Sequence, residues 1–208
     1  MTTNRWRSLT AVAVALFLGA APPLSAEDAP SAAELMDDLM WGRTPVGGPF
    51  DLIDHTGRRR ADAEFRGKFL LVYFGYSYCP DVCPTDLMAI AAAMDLLGPV
   101  GGDVQPLFIT IDPERDTVEH LADYVTAFHP NLIGLTGTPE EIRKLALAYK
   151  AYYAKVEAPD GSDYAIDHTG FIYLMGPDGQ YLGFFPPNTT AERLAKIIRQ
   201  QLPNKPSG

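Results

Sequence analysis

The chain of 208 residues has only two cysteines, and three residues separate them, in Cys79-Pro80-Asp81-Val82-Cys83. At that spacing both sulfurs can reach one ion, or each other. Redox dithiol motifs of the thioredoxin type place two residues between the cysteines, one fewer than here. Thiolate is the reactive form for nucleophilic attack and for metal ligation alike, and a helix N-terminus beside it lowers the thiol pKa. Two thiolates alone make a poor cage for zinc, which takes four ligands in structural sites. Soft thiolates joined by one imidazole suit copper.

Four histidines could supply the imidazole. His55 falls in a turn, where a solvated ring is expected. His120 and His129 lie on or just past one surface helix, where an exposed or helix-capping ring is expected. His168 stands in Tyr164-Ala165-Ile166-Asp167-His168-Thr169-Gly170, read as a loop leading into a strand. From spacing alone, a ligand and a satisfied loop histidine are equal readings for it. In extended backbone Asp167 points to the opposite side and would order the loop rather than hold the ring. Met36 and Met40, four apart on a short helix, could offer thioethers, but an apolar helix face is the plainer reading.

The elements around the thiols are legible. Phe69-Leu70-Leu71-Val72-Tyr73-Phe74-Gly75 is short, aromatic and β-branched, as a buried strand should be. After the cysteines, Pro84 suits a first helical position and Asp86 a first turn, where the dipole favours a carboxylate. The residue before a proline is pushed from the α region, so Cys83 is expected at the cap, outside the helix, with Cys79 in the loop.

On the N-terminal side, Ser31 to Glu34 caps a short helix, Arg43 to Pro49 links, and a hairpin follows, with Phe50–Asp54 as one arm and Arg58–Phe65 as the other. On the C-terminal side come a helix to about Leu97, a strand over Val104–Ile111, and a helix from about Thr117 to Phe128. A strand over Leu132–Leu135 and a helix capped by Thr138 follow, then a strand over Ala151–Val156 and a loop at Pro159–Ser162. Strands over Phe171–Met175 and Gln180–Phe185 surround the turn Gly176-Pro177-Asp178-Gly179, and Thr189-Thr190 caps a last helix. Alternating strands and helices imply an α/β fold with a mixed sheet covered by helices on both faces. The N-terminal β-hairpin, the closing hairpin and the terminal helix match a thioredoxin-like arrangement. That topology brings the loop holding His168 beside the thiols.

Residues 1–26 read as a signal peptide or membrane anchor. Arg5 and Arg7 precede the apolar run Leu9–Ala21, Pro22-Pro23 break it, and Leu24-Ser25-Ala26 offers a cleavage site. The run is shorter than the roughly 20 residues of a membrane span. Residues 27–46 form the short helix and linker, 47–203 the folded domain, and 204–208 a tail. Removing Arg5 and Arg7 from the 17 basic side chains leaves 15 against 26 acidic ones, a net charge of −11. That balance argues against nucleic acid and anionic lipid headgroups as partners.

Three uses of the cysteine pair remain open at this level: a copper site, a thiol–disulfide couple with Cys79 attacking and Cys83 resolving, and a structural disulfide. The last would close so short a loop that it restrains little chain entropy.

The chain resembles the Sco/SenC family of copper-binding, thioredoxin-fold proteins. The resemblance rests on Gly47-Gly48-Pro49-Phe50, Leu71 to Tyr76, Cys79-Pro80-Asp81-Val82-Cys83-Pro84, Asp112-Pro113-Glu114-Arg115-Asp116-Thr117, Gly134-Leu135-Thr136-Gly137 and Asp167-His168. It covers about residues 47 to 185. Departures are Tyr78, Val118 and Thr169, and none removes a ligand. The resemblance implies that Cys79, Cys83 and His168 bind copper, as Cu(I), Cu(II) or both. It further implies a metallochaperone role in maturing the CuA centre of cytochrome c oxidase subunit II, or service to a related periplasmic copper protein. The alternatives it leaves are a reductase for the partner's CuA-site cysteines and a copper or redox sensor. The implied location is the bacterial periplasm, with or without an inner-membrane anchor.

Overall fold

The computed structural model describes residues 30–42, 44–157 and 163–202. The expected signal or anchor, the tail and the loop Pro159–Ser162 lie outside those residues. All described residues except Pro30 belong to one compact unit, Ser31–Gly208.

In chain order the elements are α1 (Ala32–Trp41), β1 (Asp51–Asp54), β2 (Arg59–Ala61), β3 (Phe69–Gly75), α2 (Val82–Leu97), β4 (Val104–Thr110) and α3 (Val118–Thr126). They continue with β5 (Ile133–Thr136), α4 (Pro139–Ala148), β6 (Tyr153–Glu157), β7 (Tyr164–His168), β8 (Ile172–Met175), β9 (Tyr181–Phe185) and α5 (Ala191–Gln201). Seven strands form one mixed sheet in the order β2-β1-β5-β4-β3-β8-β9, and β6 and β7 form a separate two-stranded sheet. β3 pairs parallel with β4 and antiparallel with β8. The expected α/β, thioredoxin-like architecture is the one observed.

β3 is buried along its whole length. A strand in the middle of a sheet with helices on both faces has no solvent side, which is why its sequence reads as a continuous apolar run. Tyr73 and Phe108 are neighbours on one face and Tyr124 of α3 packs against Phe108. On the other face Phe74 meets Tyr149, at the end of α4, and Tyr173.

The helix starts follow their capping residues. Ser31 and Thr138 form capping boxes with Glu34 and Glu141, while Thr117 and Thr190 accept a first-turn amide. Such caps satisfy amides that the helix itself leaves free. Thr190 is the cap of α5, whereas the Thr189 hydroxyl donates back to the Pro186 carbonyl.

Four expectations need correction. The second hairpin arm is only three residues long, and Asp62–Phe65 turns into a 3-10 helix. Tyr164–His168 is a strand rather than a loop, because its register with β6, from Tyr153↔His168 to Glu157↔Tyr164, completes a hairpin. α2 begins at Val82, so Cys83 lies inside its first turn. The first turn of a helix has no intrahelical acceptors for its amides, so Pro84 fits its third position as well as its first. α1 turns Leu35 and Leu39 inward, and Met40 is 59% exposed, so Met36 and Met40 do not form the apolar face together.

Gly75 ends β3 at a crowded place. A Cβ there would lie 2.9 Å from Cys83 Sγ, 2.9 Å from Tyr73 Cε1 and 3.0 Å from Phe108 Cε2. The bare backbone is what allows the Cys83 sulfur to rest against the strand end. We expect Gly75→Ala to lose about 1–3 kcal/mol in denaturant unfolding by overpacking. Gly102→Ala, where a Cβ meets nothing within 4 Å, is expected to stay within about 0.5 kcal/mol of the parent. Equal midpoints for the two variants would contradict this account of Gly75.

Candidate metal centre

The connection from β3 to α2 delivers Cys79, the first turn of α2 delivers Cys83, and the last residue of β7 delivers His168. Their ligand-capable atoms all lie within 4.8 Å of one another, and among the described residues no other His, Cys, Asp or Glu group of three or more comes together this way. Cys83 is fully buried, Cys79 is half-buried, and both thiols are free. The site therefore opens to solvent on the Cys79 side. It sits at the C-terminal end of β3, where open α/β sheets commonly bind ligands.

Cys83 Sγ lies 3.4 Å from His168 Nε2, while His168 Nδ1 lies 3.3 Å from the Thr169 carbonyl oxygen. A carbonyl can only accept, so Nδ1 donates to it and the Nε2 lone pair faces the sulfurs. That is the tautomer a soft metal ion needs. The ring also stands edge-on to Tyr76, with centroids 5.9 Å apart. Tyr76 in turn accepts the Ile166 amide on its hydroxyl at 3.2 Å.

The two thiols differ electrostatically. The Cys83 thiol donating to it, with help from the amides of Asp81 and Cys83, holds the Cys79 pKa far below the ordinary thiol range. That bond to the Cys79 sulfur, together with burial, pushes the Cys83 pKa up. The pair thus holds one proton, on Cys83, and Cys79 is the standing thiolate. Amides at the start of α2 are the positive helix end expected to favour it.

Around this set lie side chains whose roles the sequence did not announce. Asp86 occupies the second turn of α2, and its side chain is buried rather than set beside the helix start. Burial pushes its carboxyl pKa up, although Oδ1 accepts the Asn188 amide at 2.9 Å. Asp116 is also buried, and it accepts both the amide and the hydroxyl of Ser77, with the Thr110 hydroxyl on Oδ2 at 2.6 Å. Gly170 lets the chain after His168 pass close to the loop before α5, since a Cβ there would lie 3.2 Å from Pro187 Cγ.

The remaining histidines go elsewhere. His120 does not simply face solvent: its Nε2 lies 2.7 Å from Ser77 Oγ and its ring stacks on Tyr78 at 5.2 Å. His55 accepts the Gly134 amide on Nδ1 at 3.2 Å, so it is not merely solvated, and His129 accepts the Asn131 amide at 3.1 Å. Asp167 is exposed and His168 half-buried, as opposite sides of a strand require.

Comparison with known proteins agrees with this geometry. The family model SCO1/SenC matches residues 40–203. The human protein SCO1 homolog, mitochondrial, is 45% identical over 159 residues, covering 76% of this chain and 53% of the relative. The Arabidopsis thaliana protein SCO1 homolog 1, mitochondrial, is 46% identical over 164 residues, covering 76% and 49%. The chain thus spans about half the length of these curated relatives. The crystal structure of Arabidopsis thaliana ScoI with copper bound shares the fold at a TM-score of 0.71 and 44% identity, over 75% of this chain and 97% of that one. Both relatives are mitochondrial by name, which goes against the expected bacterial periplasmic location. With a family model across most of its length and relatives at this identity, the chain belongs to the SCO1/SenC family.

Proposed function

We propose that the protein is a copper metallochaperone that holds the ion through Cys79, Cys83 and His168 and passes it to the CuA centre of cytochrome c oxidase subunit II. The observation that carries this reading is the convergence of two sulfurs and one imidazole within 4.8 Å. Two soft donors with an imidazole are the ligand set that favours copper over the harder divalent ions. One sulfur is already a thiolate, so binding requires the loss of the single proton on Cys83. A half-buried Cys79 gives an incoming ligand of the partner a route to the ion, so that transfer proceeds by exchange of one donor at a time. Copper stands in the Arabidopsis thaliana ScoI structure to which this chain is similar, which supports the same cargo here.

A second reading is favoured by the asymmetry of the thiols. An accessible thiolate beside a buried, protonated thiol is also the arrangement of a dithiol reductant. In that use Cys79 attacks a partner disulfide, Cys83 loses its proton and resolves the mixed disulfide, and the partner is reduced as the Cys79–Cys83 pair is oxidised.

Titration of the reduced protein with Cu(I) and Cu(II) separates the readings. Wild type is expected to bind one equivalent. His168→Ala should weaken binding by more than the roughly 10–100-fold that loss of an outer-shell partner costs. The same variant should leave the dithiol potential within about 30 mV of wild type. Failure of wild type to take up stoichiometric copper would sink the chaperone reading.

The thiol asymmetry has its own check in the metal-free, reduced protein. A depressed pKa means that thiolate persists as pH falls, so alkylation of Cys79 should stay nearly constant from about pH 8 to about pH 5. An ordinary cysteine, with a pKa near 8.5, slows about tenfold per unit over that range. Mass mapping should place the label on Cys79, and a Cys79 rate that falls like that of a free thiol would contradict the assignment.

A further inference from the structure

The segment Asp112-Pro113-Glu114-Arg115-Asp116, between β4 and α3, touches both halves of the metal centre without offering it a ligand. On the thiol side, Asp116 takes the amide and hydroxyl of Ser77, two residues before Cys79. On the hairpin side, Arg115 Nη1 donates to the Tyr164 carbonyl at 3.1 Å and to the Asp163 carboxylate at 2.9 Å. Tyr164 donates its hydroxyl to Asp112 Oδ1 at 2.8 Å, and Arg115 Nε donates to Asp112 Oδ2 at 2.5 Å.

The guanidinium itself bridges the halves. Its central carbon lies 3.8 Å from the ring centre of Tyr164 on the hairpin, and 4.8 Å and 5.8 Å from those of Tyr78 and Tyr76 on the thiol loop. The Arg115 side chain is only 17% exposed and that of Asp112 is fully buried. A planar, always-charged fork can stack on aromatic faces while its edge donates several hydrogen bonds in one plane.

The β6–β7 hairpin needs such a tie. Among the described residues it shares no ladder with the seven-stranded sheet, and a two-stranded hairpin is marginally stable by itself. Its last residue is His168, so the position of the imidazole is only as fixed as the docking of the hairpin.

We propose that Arg115 is a positioning residue for the metal centre: by bridging Tyr164 on the hairpin to Tyr76 and Tyr78 on the thiol loop, it keeps His168 within reach of Cys79 and Cys83. The role in copper binding rests on the function proposed above, whereas the docking role stands in the metal-free protein.

Two measurements test it. In the metal-free protein, Arg115→Ala should speed amide exchange in Tyr153–Glu157 and Tyr164–His168 about tenfold or more, with the β3–β4 amides unchanged. In Cu(II) titration, Arg115→Ala should weaken binding about tenfold or more when His168 is present and have no further effect in the His168→Ala background. Wild-type exchange in the hairpin, equal acceleration in both sheets, or the same loss of affinity in both backgrounds would overturn the proposal. Should Arg115→Ala fail to fold, Tyr164→Ala removes the stack from the other side and must give the same pattern. A wild type that takes up no copper overturns the chaperone reading alone, because hairpin exchange decides the docking role independently.

Discussion

The metal centre depends on one adjacency: β8 pairs antiparallel beside β3, in the register Tyr73↔Ile172 to Leu70↔Met175. The chain that enters β8 must therefore cross the C-terminal end of β3, where the thiol loop begins. His168 lies just ahead of that crossing, 85 residues along the chain from Cys83. No local propensity could join the two. The sheet joins them, and the all-apolar β3, buried by helices on both faces, is what fixes the sheet.

Once the three side chains are together, their surroundings select a protonation pattern. Cys83 lies in a buried place with its proton facing the Cys79 sulfur and the His168 nitrogen, while Cys79 stands half-open at the start of α2. Two thiolates side by side in a poorly solvated pocket would repel. In the proposed copper site, a cation arriving there would remove the repulsion and displace the Cys83 proton, so metal binding and deprotonation would be one event. The same asymmetry suits thiol exchange, so the two proposed uses, copper delivery and disulfide reduction, rest on the same residues.

Much of this was legible in the sequence. The apolar run of β3, the cysteines, the capping threonines and the hairpin turn at Gly176–Gly179 each carry a local signal, and the order of elements implied the fold that selects His168. The rest was hidden for physical reasons. Tyr164–His168 is a strand because β6 pairs with it and Arg115 and Tyr76 dock it, and its own pattern does not alternate clearly. The rule for residues before proline placed Cys83 at the cap, whereas α2 begins one residue earlier and sets the Cys83 sulfur against the end of β3. Asp86 looked like a carboxylate serving the helix dipole, and only the approach of Asn188 from the loop before α5 shows it to be buried. His120 looked like a surface residue, because Ser77, its partner, lies 43 residues away in sequence.

The proposed function requires that the two sulfurs and one imidazole form a single copper-binding set. X-ray absorption at the copper edge, measured on the loaded wild-type protein, tests it most directly. The loaded protein is expected to show a first shell of both sulfurs together with one nitrogen carrying the outer-ring scattering of imidazole. A first shell with no sulfur, or one containing sulfur but no imidazole scattering, would contradict it.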